Sequence, residues 1–184
     1  MLIMLVFASC SSDNGDTDEP ETDSFDRGAM LANWADNIIA PAFENFTSST
    51  QDLEDNTNAF VEDPSEANLA SLRASFENAY LDFQTVSMFE IGKAEELNYR
   101  NFLNTYPAAL TAIDEKISSG SYNLALPSSY NQQGFPALDY LINGVAETDA
   151  EIVALYASEN YRNYLQSVSE RINTLTEEVN TSWQ

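Results

Sequence analysis

Residues 66–86, EANLASLRASFENAYLDFQTV, decide the fold class of this chain. Apolar or small residues recur in this stretch at steps of three and four, the spacing that puts side chains on one face of an α-helix. The repeating positions are Leu69, Leu72, Phe76, Ala79, Phe83 and Val86. The pattern predicts a helix whose seam packs into a helical bundle, with Phe76 and Phe83 in the core.

The segment before this helix has the same period and predicts a first long helix. Its expected buried face consists of Leu31, Trp34, Ile38, Ala42, Phe46, Ser49, Leu53 and Phe60. Pro41 lies inside the helix, so we expect a kink near Ile38, because proline cannot donate the helical hydrogen bond.

The C-terminal half predicts further helices. A shorter helix follows Pro107, with Leu110, Ile113 and Ile117 facing inward and Gly120 as its stop. Residues 121–133 are rich in turn formers and predict a loop. A short helix over residues 136–143 should end at Gly144, and Thr148 to Glu151 form a capping box that opens a last long helix reaching Trp183.

No segment alternates as a β-strand does, so the sequence predicts an all-α fold. We expect an up-and-down bundle of about four longer helices plus a short helix over residues 27–184. The last helix is still apolar in its final turn. This feature predicts that a second, C-terminal half packs against the bundle.

The N-terminus has the composition of an export signal. Residues 1–10, MLIMLVFASC, are an uncharged apolar run that ends in small residues before Cys10 and resembles a bacterial lipobox. The run is shorter than the ~20 residues that span a bilayer. We therefore expect lipid attachment at Cys10, with a buried free cysteine as the alternative. No Lys or Arg precedes the run, which favours a true start upstream of Met1.

The segment 11–26 carries seven acidic residues and predicts a disordered tether. Together with Cys10, it predicts a lipid-anchored protein of the bacterial cell envelope, in the outer membrane with its domain on the periplasmic or the surface side.

Composition excludes several function classes. The chain has 30 acidic and 7 basic residues, a net charge of −23, which argues against nucleic acid as a partner. It has no histidine, which removes Ser-His-Asp catalysis and histidine-ligated metal sites. One cysteine allows no disulfide within the chain.

Three stretches resemble the imelysin-like family of exported helical proteins, whose members have two bundle-like halves. They are NIIAPAFENF at 37–46, LRASFENAY at 72–80 and QGFPALDYLING at 133–144. The resemblance covers residues 27–184, about one half of a typical member. It implies the N-terminal half of a two-bundle fold.

The third stretch stands where that family carries a Gly-x-His-x-x-Glu signature. Gly134 matches the glycine, whereas Pro136 stands at the histidine position and Asp139 at the glutamate position. The family is associated with iron-regulated uptake, some members with peptidase activity, and the His/Glu pair with metal binding. The resemblance therefore implies a divalent metal or iron, with Asp139 as the remaining ligand. A lone carboxylate is a poor transition-metal site, because affinity comes from several convergent ligands.

Each candidate residue has a structural and a functional interpretation. Gly134 permits a tight turn or the close approach of a ligand, and Pro136 fits the first turn of a helix. Asp139 is a ligand, an acid/base group, or an ordinary surface or arginine-paired carboxylate. Arg73 is expected to pair with a carboxylate such as Glu90 or Asp139 and so to shape a pocket.

Three functions follow from these features. The leading hypothesis is a non-enzymatic binding lipoprotein that takes a metal or an iron compound. The second is an imelysin-type peptidase, which the missing histidine disfavours. The third is an adaptor or structural lipoprotein whose groove binds an envelope protein, including its own C-terminal half.

Overall fold

A computed structural model describes residues 24–184, and every regular element in this range is helical. The all-α prediction is confirmed. The α-helices are α1 (Arg27–Trp34), α2 (Ala40–Glu62), α3 (Glu66–Val86), α4 (Lys93–Leu97), α5 (Tyr99–Leu103), α6 (Leu110–Ser119), α7 (Gly134–Asp139), α8 (Asp149–Leu155) and α9 (Glu159–Ser182). Two π-helical segments, Ala35–Ile39 and Tyr140–Gly144, and a 3-10 helix, Pro127–Gln132, complete the set.

The core of the bundle is the long helix α2, which packs against both α3 and α9. The seam predicted for α3 is buried at Leu69, Leu72, Ala79, Phe83 and Val86. Phe76, predicted to lie in the core, is only partly buried. The seam prediction is therefore correct except at this ring.

Polar pairs cross the interface between α2 and α9 inside the core. The Thr50 hydroxyl donates to Asn173 Oδ1 at 2.8 Å, and the Thr57 hydroxyl donates to Ser169 at 3.0 Å. All four side chains are buried. A buried polar group is costly without a partner, so these pairs favour one register between the two helices.

The first helix differs from its prediction. Leu31, Trp34 and Ile38 were expected in the core but are 57%, 48% and 49% exposed, and α1 buries no residue. The buried face begins at Ile39 and continues through Phe43. The π-helical segment before Pro41 explains the error. Its hydrogen bonds span one residue more than those of an α-helix, and this rotates the apolar side chains of α1 away from the core.

The last helix is interrupted, where one continuous helix was predicted. The capping box of Thr148 and Glu151 is present at the start of α8. The chain then leaves the helix after Leu155, and the Arg162 guanidinium donates to the backbone oxygens of Tyr156 and Ala157. The Tyr156 ring packs against Phe60 with centroids 4.7 Å apart. Tyr156 lies in this turn, and no glycine or proline marks the turn in the sequence.

The connecting region contains more helix than predicted. A 3-10 helix lies within the expected loop at 121–133, and the short helices α4 and α5 lie between α3 and α6, where no helix was predicted. Gly120 stops α6 in the left-handed conformation, as predicted. Ile113 and Ile117 are buried, but Leu110, also expected to face inward, is 46% exposed.

The predicted signal peptide at 1–10, Cys10 and most of the predicted tether at 11–26 lie outside the described residues. At the boundary, Asp26 caps α1 by accepting a hydrogen bond from the Ala29 amide at 2.8 Å. No helix within 24–184 is both long and apolar enough to cross a membrane.

Candidate functional site

The segment that resembles the family signature lines a cleft of about 640 Å³, which we call the Asp139 cleft. α3 supplies one wall, the chain around Pro107 another, and α7 with the following π-helical segment the third. Its lining consists of Phe76, Tyr80, Asn104, Tyr106, Pro107, Ala108, Leu110, Phe135, Pro136, Asp139, Tyr140, Asn143 and Gly144.

Gly134 sets the position of α7 against the rest of the bundle. Its φ is +73°, and a Cβ atom there would lie 2.2 Å from the Leu103 carbonyl oxygen. Both features demand glycine, because a side chain would be strained and would collide with backbone. The group that approaches Gly134 closely is therefore the Leu103 carbonyl of α5 and not a ligand.

Phe135 follows this turn and forms the floor of the Asp139 cleft. The ring is 1% exposed and packs against Tyr80, Phe83 and Phe76, with centroids 5.2, 5.4 and 6.0 Å away. Tyr80 and Phe76 also stack nearly parallel, with centroids 6.0 Å apart. Aromatic side chains from α3 and α7 thus form a continuous apolar surface beneath the cleft.

Pro136 and Asp139 both line the cleft, one turn apart on α7. Pro136 lies in the first turn, where a missing N–H costs nothing. The Asp139 side chain is exposed, and its Oδ1 accepts a hydrogen bond from the Asn143 amide at 2.8 Å.

The residues of the cleft do not fit the metal that the family resemblance implies. Pro136 has no ligand atom, and Asp139 is the one carboxylate in the lining. Within 24–184, no three His, Cys, Asp or Glu side chains converge as a metal site requires.

Tyr140 closes one side of the cleft and is fixed by α6. Its hydroxyl donates to Asp114 Oδ1 at 2.8 Å. Burial, followed by the hydrogen bond to the Asp114 carboxylate, raises the pKa of Tyr140 to about 12. The phenol is therefore neutral at physiological pH and acts as a hydrogen-bond donor.

Arg73 joins α3 to the second π-helical segment and to the start of α8. Its Nε and Nη2 donate to the Ile142 carbonyl at 3.0 and 2.8 Å, and Nη2 also donates to Asp149 at 2.8 Å. This hydrogen bond lowers the pKa of the Asp149 carboxyl. Arg73 does pair with a carboxylate, but neither Glu90 nor Asp139 is that partner. Asp149 is the partner, and Arg73 supports the wall of the cleft from behind.

Glu90 is not among the residues that line the cleft, and the ion pair of Arg73 is made with Asp149 instead. Its carboxylate accepts hydrogen bonds from the Arg100 amide at 3.2 and 3.3 Å, at the start of α5. Partial burial raises the pKa of Glu90, against the lowering effect of this hydrogen bond. Glu90 thus caps a helix, and the structure does not bring it together with the other predicted site residues.

Sequence reasoning missed two residues that hold the Gly134 turn in place. Gln133 is 1% exposed and donates through Nε2 to the Leu124 carbonyl and to Ser129. Its Oε1 accepts from Arg171 Nε at 2.8 Å, and the Arg171 guanidinium lies 4.4 Å from the centroid of the Phe102 ring. Gln133 and Arg171 are far apart in the chain, so no local pattern could have paired them.

A second groove, of about 680 Å³, runs between α2 and α3. Its lining is mostly small and polar, and Ser49 donates a hydrogen bond to Asp82 across it. The Asp139 cleft combines apolar walls with a few polar groups, the usual composition of a ligand site. It is therefore the candidate site.

Comparison with known proteins supports the family resemblance. The family model described as Imelysin (Peptidase_M75) matches residues 39–184. No curated protein is similar enough to this chain to count as a match.

A solved structure shares the fold with a TM-score of 0.70 at 19% sequence identity. It is a provisionally named iron-regulated protein A precursor from Parabacteroides distasonis, and the alignment covers 84% of this chain and 44% of that one. The chain thus spans less than half the length of this structural relative. Because the family model covers most of the chain and includes every residue of the Asp139 cleft, the chain belongs to the imelysin family.

Proposed function

We propose that this protein is a non-enzymatic binding lipoprotein of the cell envelope that holds a small organic ligand in the Asp139 cleft. The observation that carries the proposal is the cleft itself. Its volume of about 640 Å³ suits a small molecule, since ligand pockets measure ~300–1,000 Å³. Its lining joins five aromatic rings to one carboxylate and two amides.

The role in iron acquisition rests on the family and on the structural relative, which is named as an iron-regulated protein. Because one carboxylate binds a bare transition metal poorly, iron would enter the cleft as a complex that brings its own organic ligands. Asp139 and the amides of Asn104 and Asn143 would then contact the organic shell.

Localisation to the envelope rests on the lipobox-like segment that ends at Cys10. Signal processing followed by acylation of this sulfur would anchor the protein, and the acidic segment after it would hold the domain away from the membrane. Cys10→Ser in cells should release the protein from the membrane fraction. A Cys10→Ser variant that stays membrane-bound would contradict the lipid anchor.

Binding is tested by a thermal-shift and NMR screen of the purified full chain. The panel contains neutral, cationic and anionic aromatic compounds, a ferric trihydroxamate, a ferric tricatecholate and ferric citrate. Ala108→Phe fills the cleft, and Ala125→Phe adds the same ring at an exposed position outside it. We expect at least one compound to bind the wild type and Ala125→Phe, and not Ala108→Phe. Failure of the whole panel, or binding that survives Ala108→Phe, would remove the proposal.

The non-enzymatic part has a separate test. The purified chain is incubated with protein substrates in the presence and absence of a chelator. We expect no cleavage in either case, and calorimetric titration with iron or zinc should give no signal that Asp139→Ala removes. Chelator-sensitive cleavage by the pure protein would restore the peptidase alternative.

A further inference from the structure

The charge of the Asp139 cleft has one sign. Asp139 is its only formally charged lining residue, and no lysine or arginine lines it. The chain around it carries a net charge of −23. Such a field raises the local concentration of cations and opposes the entry of anions.

Asp139 also keeps acceptor capacity for a ligand. Its Oδ1 accepts one hydrogen bond, from Asn143, and neither of its oxygens forms an ion pair with any residue in 24–184. A carboxylate has about four lone-pair positions. The remaining ones are open to a donor in the cleft, because the Asp139 side chain is exposed.

The rings of the cleft have no cation of their own. The cation–π contacts in the described part of the chain join Arg27 to Phe25 and Arg171 to Phe102, and none uses a ring of the cleft. Two of these rings, Tyr80 and Tyr106, belong to residues that are 38% and 84% exposed. The face of such a ring attracts an ammonium group, most strongly where water is excluded.

These features lead to one ligand class. We propose that the Asp139 cleft selects a small organic cation, with its charged nitrogen between Asp139 and the tyrosine rings and its apolar body against Phe135. The inference rests on the proposed function and adds the chemistry of the recognised group. A bare metal ion lacks enough ligands here, and an anion meets Asp139 without a compensating cation.

The test compares three probes that share one aromatic body: benzyltrimethylammonium, benzyl alcohol and phenylacetate. Each is titrated into the full chain while the backbone amide resonances of residues 134–144, except Pro136, which has no N–H, are followed by NMR. Asp139→Asn removes the charge and keeps the shape. Asp36→Asn removes a charge from an exposed residue outside the cleft and serves as the matched control.

We expect the cation to bind at least about tenfold more tightly than the alcohol, and phenylacetate to bind most weakly. Asp139→Asn should lower the affinity for the cation about fivefold or more without changing that for the alcohol, and Asp36→Asn should change neither. Tyr80→Leu should lower the affinity for the cation more than the affinity for the alcohol. Circular dichroism spectra that match the wild type would show that the variants are folded.

Two outcomes would overturn the inference. In the first, the cation and the alcohol bind the cleft with equal affinity, or Asp139→Asn does not change the affinity for the cation. The cleft then binds ligands, but the proposal that it selects cations is wrong. In the second, no probe shifts the resonances of 134–144. If the compounds of the wider panel that bind there are neutral or anionic, only cation selection is wrong, and if no compound of the panel binds, both proposals are wrong.

Discussion

At the scale of single residues, Gly134 is the glycine of the family signature, and it is required here although the histidine of that signature is absent. The family signature pairs its glycine with a histidine, and this chain has Pro136 at that place. Gly134 is still required, because the Leu103 carbonyl oxygen lies where a Cβ would be. The glycine serves the packing of α7 against α5, and its presence alone therefore says nothing about a metal.

Gly134→Ala should lower the free energy of unfolding by at least about 3 kcal/mol, through a strained backbone and a clash with backbone atoms that cannot rotate away. Gly120→Ala is the matched control. It has a similar φ of +63°, but its nearest neighbours are side-chain atoms of Asn160, so its cost should be about 1 kcal/mol. Urea unfolding measures both, and equal losses would contradict this explanation.

At the scale of elements, the two π-helical segments determine which side chains reach which surface. The segment Ala35–Ile39 separates the exposed stripe of α1 from the buried face of α2. The segment Tyr140–Gly144 extends α7 and brings Tyr140, Asn143 and Gly144 to the cleft. Arg73 donates to the Ile142 carbonyl within this second segment and so supports its geometry.

A pair of substitutions tests the exposed stripe. Trp34→Ala should change the free energy of unfolding by less than about 1 kcal/mol, since surface substitutions have small effects. Phe43→Ala, on the buried face of the following helix, should cost about 3–5 kcal/mol. Urea unfolding followed by circular dichroism gives both values. A loss at Trp34 as large as that at Phe43 would mean that this ring is buried in solution.

At the scale of the whole molecule, charge repulsion opposes the compact state. The sequence has 30 acidic and 7 basic residues. The described ion pairs include Arg73–Asp149 and the contacts of Lys93 with Glu96 and Glu178, and they leave most carboxylates without a cation. The folded protein therefore holds many like charges close together.

Salt should stabilise this protein. Raising the ionic strength from about 0.01 M to about 1 M shortens the screening length from about 30 Å to about 3 Å, and we expect the melting temperature to rise. Glu170→Lys, at an exposed position of α9, should stabilise the protein in low salt and reduce the effect of added salt. A melting temperature that falls as NaCl is added at constant pH would contradict this view.

The sequence by itself determined the fold class, the seam of α3, the capping box at Thr148 and the stop at Gly120. Each of these depends on residues within a few positions of one another, because helical periodicity and caps are local chemistry. The resemblance to the imelysin family located the segment around Gly134.

Only the tertiary structure decided what the candidate site consists of. The cleft joins Tyr80 of α3 to Asp139 of α7, and the turn beneath it depends on the hydrogen bond from Arg171 to Gln133. The same holds for the break at Tyr156 and for the partner of Arg73. These contacts join side chains far apart in the chain, and the packing that brings them together leaves no periodic trace in the sequence.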